Sequence, residues 1–166
     1  MLALSDTQIA TLVEQIVQLL VTRRQAAYRC TLDELANGLP RAAYLYHGTL
    51  AVTQVDAPFL RRLAALDRGV PTVAAVLAAW HYGMQVTLSL HPRWLCHVPV
   101  RRLANLQVSL CDDAGNPVHL SPGRLLGYRQ VSTLTPGWLL LEPGALISPL
   151  AADVLAQGHL HWIRTE

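Results

Sequence analysis

The sequence predicts a single α/β domain, a mixed or largely parallel sheet covered by helices, preceded by an amphipathic N-terminal helix. Three observations predict it. Segments of helical period alternate along the chain with short runs of β-branched and aliphatic residues, as in strands joined by crossover helices. Helix starts and stops are marked repeatedly by Ser, Thr or Asp caps and by Gly. The 166 residues suffice for one domain, and with 52% hydrophobic and 14% charged residues the chain has too much apolar surface for long disorder. Much of that surface must be buried, internally or against partners. The organisation read from these signals is an amphipathic segment over 1–28, a connector with a first strand over 29–48, and the α/β domain over 49–166.

The first helix has a full set of start signals. Ser5 and Gln8 form a capping box, Asp6 suits the positive end of the dipole, and Leu4 can staple onto Ile9. Ile9, Leu12, Val13, Ile16 and Leu20 recur at helical spacing, while Gln8, Thr11, Glu14, Gln15 and Gln18 lie largely on the other side. Arg23 and Arg24 suit its negative end. This apolar stripe needs a partner, either the protein's own sheet or another molecule.

Thr31 and Glu34 form a second capping box, and Asn37, Gly38 and Pro40 end the short helix it opens, so 29–41 reads as a connector. Residues 43–47 and 49–55 read as two short strands around Gly48. Asp56 caps a helix with Pro58 in its first turn and Phe59, Leu60, Leu63 and Leu66 inward. Thr72 is expected to cap the next helix over 73–82, Gly83 to end it, and 84–90 to alternate as a strand. A short helix over 99–103 precedes a strand at 107–111, a turn built on Asp112, Asp113, Gly115, Asn116 and Pro117, and a strand at 118–120. A helical stretch at 129–134, a strand at 138–141 and a turn at 142–144 follow. Ser148 and Pro149 start a helix running to Ala156, and Gly158 releases it into a strand at 159–163.

Composition excludes several classes. A net charge of +2 spread over scattered arginines makes no nucleic-acid footprint, and no apolar run approaches a membrane span. The cationic side chains are all arginine, paired only at Arg23/Arg24, Arg61/Arg62 and Arg101/Arg102. Arg101 and Arg102 are the pair expected to meet an acidic partner surface, since guanidinium groups pair well with carboxylates at interfaces. Three widely spaced cysteines fit reduced thiols in a cytosol, and Asp6 with no arginine before Arg23 is the reverse of a secretory leader, so a cytoplasmic protein is expected.

Catalytic and metal sites are not indicated. His159 and His161 share a strand face and His91, Cys96 and His97 lie close in sequence, but neither set matches a ligand spacing, so no metal is expected. Asp112 and Asp113 diverge in a turn, and Ser89 with His91 lacks an orienting acid. No phosphate-cradling glycine motif is present. The second reading is a small-molecule protein or enzyme: parallel strands would bring the loops after Val55 and Leu90 to the carboxyl edge, where a flavin, nucleotide or cobalamin-related molecule could meet His91 and Trp94.

The segments QVTLSLHPRWLCHVPVRRLANL (85–106), CDDAGNPVHL (111–120) and LLGYRQVSTLTPG (125–137), in this order and spacing, resemble the PduM family of propanediol-utilisation microcompartments. GALISPLAADVL (144–155) resembles a capped-helix module of microcompartment-operon proteins, and TQIATLVEQIVQLL (7–20) is similar to the amphipathic helices by which microcompartment cargo attaches to the shell. The resemblance covers roughly 49–163. It implies a non-catalytic protein, without cofactor, that helps build the organelle for 1,2-propanediol degradation through contacts with shell or core enzyme proteins, located in the microcompartment within the cytoplasm. A homo-oligomer is compatible with it. The expected partner-binding residues are Ile9, Leu12, Val13, Ile16 and Leu20 with Arg101 and Arg102.

Overall fold

The computed structural model describes residues 5–166; Leu4 and its staple lie outside the described residues. In chain order the elements are α1 (Asp6–Gln25), β1 (Ala27–Thr31), α2 (Leu32–Ala36), α3 (Arg41–Tyr46), β2 (Thr49–Val55), α4 (Ala57–Ala64), α5 (Pro71–His81) and β3 (Gln85–Leu90). A 3-10 helix (Pro92–His97), α6 (Val100–Leu103), β4 (Val108–Asp112) and β5 (Pro117–Ser121) follow. The C-terminal part holds β6 (Leu125–Leu126), α7 (Tyr128–Ser132), β7 (Gly137–Leu141), β8 (Leu146–Ile147), α8 (Pro149–Ala156) and β9 (Leu160–Arg164).

Seven strands form one mixed sheet in the order β1-β2-β3-β4-β5-β7-β9, while β6 and β8 pair separately. All neighbours in the large sheet are parallel except β4 and β5, which form an antiparallel hairpin. Strand order thus marches in one direction, but strand sense reverses once, at the turn of residues 113–116. Right-handed crossovers on reversed strands put their helices on the opposite face, and the core divides accordingly. The larger cluster joins Leu50, Val52, Val86, Leu88, Leu110 and Leu140 to the helical residues Leu35, Leu60, Leu63, Val73, Val76, Leu95 and Leu103. The smaller one joins Leu139, Leu141 and Leu160 to Val131 of α7 and to Ala151 and Leu155 of α8. Leu139 and Leu140, adjacent on β7, point to opposite faces as the pleat requires.

One consequence is an uncovered surface. Every described helix packed on β1 to β4 lies on the face of the larger cluster, so the other face carries Arg29, Thr53, Gln85 and Ser109 exposed, with Ala51, Thr87, Ser89 and Cys111 half-buried. Parallel strands are usually covered on both faces; the alternation of polar with aliphatic residues in β3 makes this half tolerant of water.

Local expectations fail at a few places. Residues 43–47 are not a strand: α3 buries Ala43 completely and lays Tyr44 against Tyr82 at the end of α5, while Tyr46 is exposed. The first strand is instead β1, which begins within the segment read as 1–28, and its Tyr-Arg-Cys centre carries little strand signal. Leu66 points outward, because α4 ends in a left-handed turn at that residue (φ 53°) and leaves it exposed. Thr72 caps nothing; Val70 occupies the cap position and Pro71 opens α5. His159 precedes β9 rather than sharing a strand with His161.

Candidate functional site

The most conspicuous surface of the molecule is α1. Its capping box forms as the residues dictate, with the Gln8 backbone N–H donating to Ser5 Oγ and the Ser5 N–H to Gln8 Oε1. No residue of this helix is buried. The predicted stripe, Ile9, Leu12, Val13, Ile16 and Leu20, is 44–55% exposed, and Val17, Leu19 and Val21 widen it. The helix satisfies its N-terminal groups with its own capping box and meets the domain only at its base, among the described residues.

Its attachment explains why. Only Ala26 separates α1 from β1, whereas a helix that folds back over a sheet needs a connection of about two to six residues. The base is then clamped. The Arg23 guanidinium donates to the Tyr44 carbonyl at 3.2 and 3.3 Å and to the Tyr82 carbonyl at 2.6 Å, gathering the ends of α3 and α5 beneath the helix. Gly48 lets the backbone pass, since a Cβ there would lie 2.7 Å from the Arg23 carbonyl oxygen and 2.9 Å from Arg24 Cα. The helix is therefore a mounted arm. At its base a groove of about 290 Å³ between Leu19, Leu20, Leu45 and Tyr46 extends the apolar stripe onto α3.

Arg101 and Arg102 lie exposed on α6, which packs on α4 and β5, whereas α1 contacts α3. The structure thus gives the two predicted sets separate supports. Glu142 Oε1 accepts the Arg101 backbone N–H at 2.8 Å, substituting for the missing side-chain cap of α6. Among the described residues neither guanidinium takes part in an ion pair; those are Arg62 with Asp67 and His97 with Glu166.

The residues weighed for chemistry are occupied structurally. Ser89 Oγ donates to the Asp112 carbonyl, and His91 Nδ1 accepts the Arg93 N–H to cap the 3-10 helix. Asp56 Oδ1 does the same for α4. The loops after Val55 and Leu90 do share the carboxyl edge, but monotonic strand order offers no switch point there of the kind that opens a ligand crevice. Burial, aided by Glu34, pushes the Cys30 thiol up to about 11, and burial likewise raises Cys111 despite its hydrogen bond with Ser89. Both are protonated packing residues at neutral pH.

Tertiary structure makes one grouping that sequence spacing could not show. Cys96, His97 and Glu166 bring their ligand atoms within 4.8 Å of one another, while His91 stays apart. His97 Nδ1 lies 3.4 Å from a Glu166 carboxylate oxygen, and the Glu166 N–H donates to the Cys96 carbonyl. The carboxylate is 76% exposed, and the three groups serve as a tether of the chain after β9 to the 3-10 helix.

A family model described as "Putative propanediol utilisation" matches residues 11–161, which extends the similarity into α1. The bacterial microcompartment assembly protein PduM of Salmonella typhimurium is 29% identical over 155 residues, covering 93% of this chain and 95% of that protein. The protein of the same description from Citrobacter freundii is 30% identical over 158 residues with the same shares. No solved structure gives a significant match. The chain belongs to the PduM family of propanediol-utilisation proteins.

Proposed function

We propose that this protein is a non-catalytic assembly component of a bacterial microcompartment for 1,2-propanediol degradation, acting through protein contacts with shell or core components inside the cytoplasmic organelle. The single observation that carries this reading is the mounted apolar helix α1, whose stripe is uncovered among the described residues. Burying exposed aliphatic surface is favourable by roughly 25 cal/mol per Å², and an amphipathic helix laid into a groove is a recurrent recognition mode. The relatives' description as assembly proteins supports the same reading. Arg101 and Arg102 offer a second contact, suited to an acidic surface.

The test is localisation of a full-length fluorescent fusion carrying Ile9→Glu, Ile16→Glu and Leu20→Glu. These positions are solvent-facing, so the domain should keep its thermal stability while the fusion loses co-localisation with the organelle. Unchanged co-localisation of the folded variant would overturn the contact role of α1.

A further inference from the structure

We infer that the first occupant of the α1 stripe is α1 of a second copy of this chain, packed antiparallel about a two-fold axis. The inference rests on the reading of α1 as a protein-contact surface and names what meets it. A two-fold interface needs a surface complementary to itself, residue i meeting j and j meeting i. The helix has this property about a point between Glu14 and Gln15, one residue from its midpoint. Reversal of the chain about that point sets Ile9 against Leu20 and Val13 against Ile16, the four residues that form the centre of the stripe. The ends complement each other too, because Asp6 comes to the exposed Arg24, while Arg23 stays in its clamp.

Helix geometry turns this symmetry into a packed seam. Ile9, Val13, Ile16 and Leu20 follow one another at steps of four, three and four residues, the spacing that keeps one line of side chains facing a partner helix. In the antiparallel pair the layers are Ile9 on Leu20 and Val13 on Ile16, each formed twice by the two-fold. Leu12 and Leu19 close one flank and Val17 the other. Parallel pairing would instead stack Asp6 on Asp6 and Arg24 on Arg24, with the helix dipoles aligned unfavourably. A foreign helix would have no reason to select this self-complementarity.

The mounting makes the pairing sterically possible. With one residue before β1 and the Arg23 clamp at its base, α1 projects as a rod of roughly 30 Å, the length of a helix of this size. An antiparallel pair then holds the two α/β domains at its opposite ends. The dimer presents two copies of Arg101, Arg102 and the open sheet face, which suits a protein that bridges components.

The solution mass of the purified full-length chain at tens of micromolar should be twice 18.2 kDa. Val13→Glu and Ile16→Arg, each alone, should raise the dimer dissociation constant at least tenfold, because each charge meets an apolar residue twice across the axis. Both changes in one chain should restore pairing, since opposite charges then face each other between copies. A single-chain mass for the unaltered protein, or no rescue by the double variant, would overturn the inference. A protein monomeric throughout that still loses co-localisation when its stripe is charged would refute the dimer and leave the contact role of α1 standing. Monomeric variants that still co-localise would refute that contact role and leave the dimer.

Discussion

Replacing Asp112 by alanine tests the point at which the sheet reverses. Asp112 ends β4, is 4% exposed, and its carboxylate is the centre of the hairpin. Oδ1 accepts the backbone N–H groups of Ala114 at 3.0 Å and Asn116 at 2.7 Å, while Oδ2 accepts Asn116 Nδ2 at 2.8 Å and Trp138 Nε1 at 3.0 Å. The turn is thereby tied to β7 as well as to β5. A buried donor left without its acceptor costs about 1–3 kcal/mol, and neighbouring members of one network are not additive, so Asp112→Ala should cost about 3 kcal/mol. Asp112→Asn keeps an acceptor for the backbone but turns an amide toward Trp138 Nε1, and should cost about half as much.

The same site predicts a pH dependence of known sign. Burial pushes the carboxyl up, but its hydrogen bonds with Asn116, Trp138 and Ala114 outweigh this and hold it below the ordinary range. A folded-state value below the unfolded one, about 3.9 for a free Asp, means a stabilisation complete above that value and lost as pH falls through the folded one. Urea unfolding followed by tryptophan fluorescence at pH 7 and in steps toward pH 3 should show wild type converging on Asp112→Asn as acid is added. A loss under 0.5 kcal/mol for Asp112→Ala (roughly the size of a neutral surface change), or a constant gap between wild type and Asp112→Asn, would refute the assignment of the carboxylate as the anchor.

Two further outcomes concern the contact surfaces. Arg23→Ala should lower the unfolding free energy by about 1 kcal/mol and increase hydrogen exchange at the base of α1, because its three donations to Tyr44 and Tyr82 carbonyls are the clamp; unchanged exchange there would show that the clamp is dispensable. Arg101→Ala with Arg102→Ala should weaken capture of acidic shell or core proteins in a pull-down with little change in melting temperature, since both side chains are exposed and take part in no ion pair among the described residues; an unaltered pull-down would remove them from the contact surface.

What the amino-acid order determined by itself is local and periodic. The caps at Ser5, Thr31, Asp56 and Ser148, the stripe of α1 and the alternation of β3 were all legible, because each depends on residues within a few positions of one another. Helix α3 and strand β1 were not, since short segments of mixed propensity take the form their packing demands; α3 buries Ala43 completely and meets α1. Nor could spacing bring Glu166 to Cys96 and His97, or reveal that β5 runs against β4 and sends α7 and α8 to the other face. The stripe of α1 shows the division most clearly. Its existence is a matter of helical period, but whether it is covered depended on a one-residue connection and on an arginine that grips carbonyls 21 and 59 positions away. Local chemistry writes the elements; only the closure of long loops in three dimensions decides which of their faces remain open to another molecule.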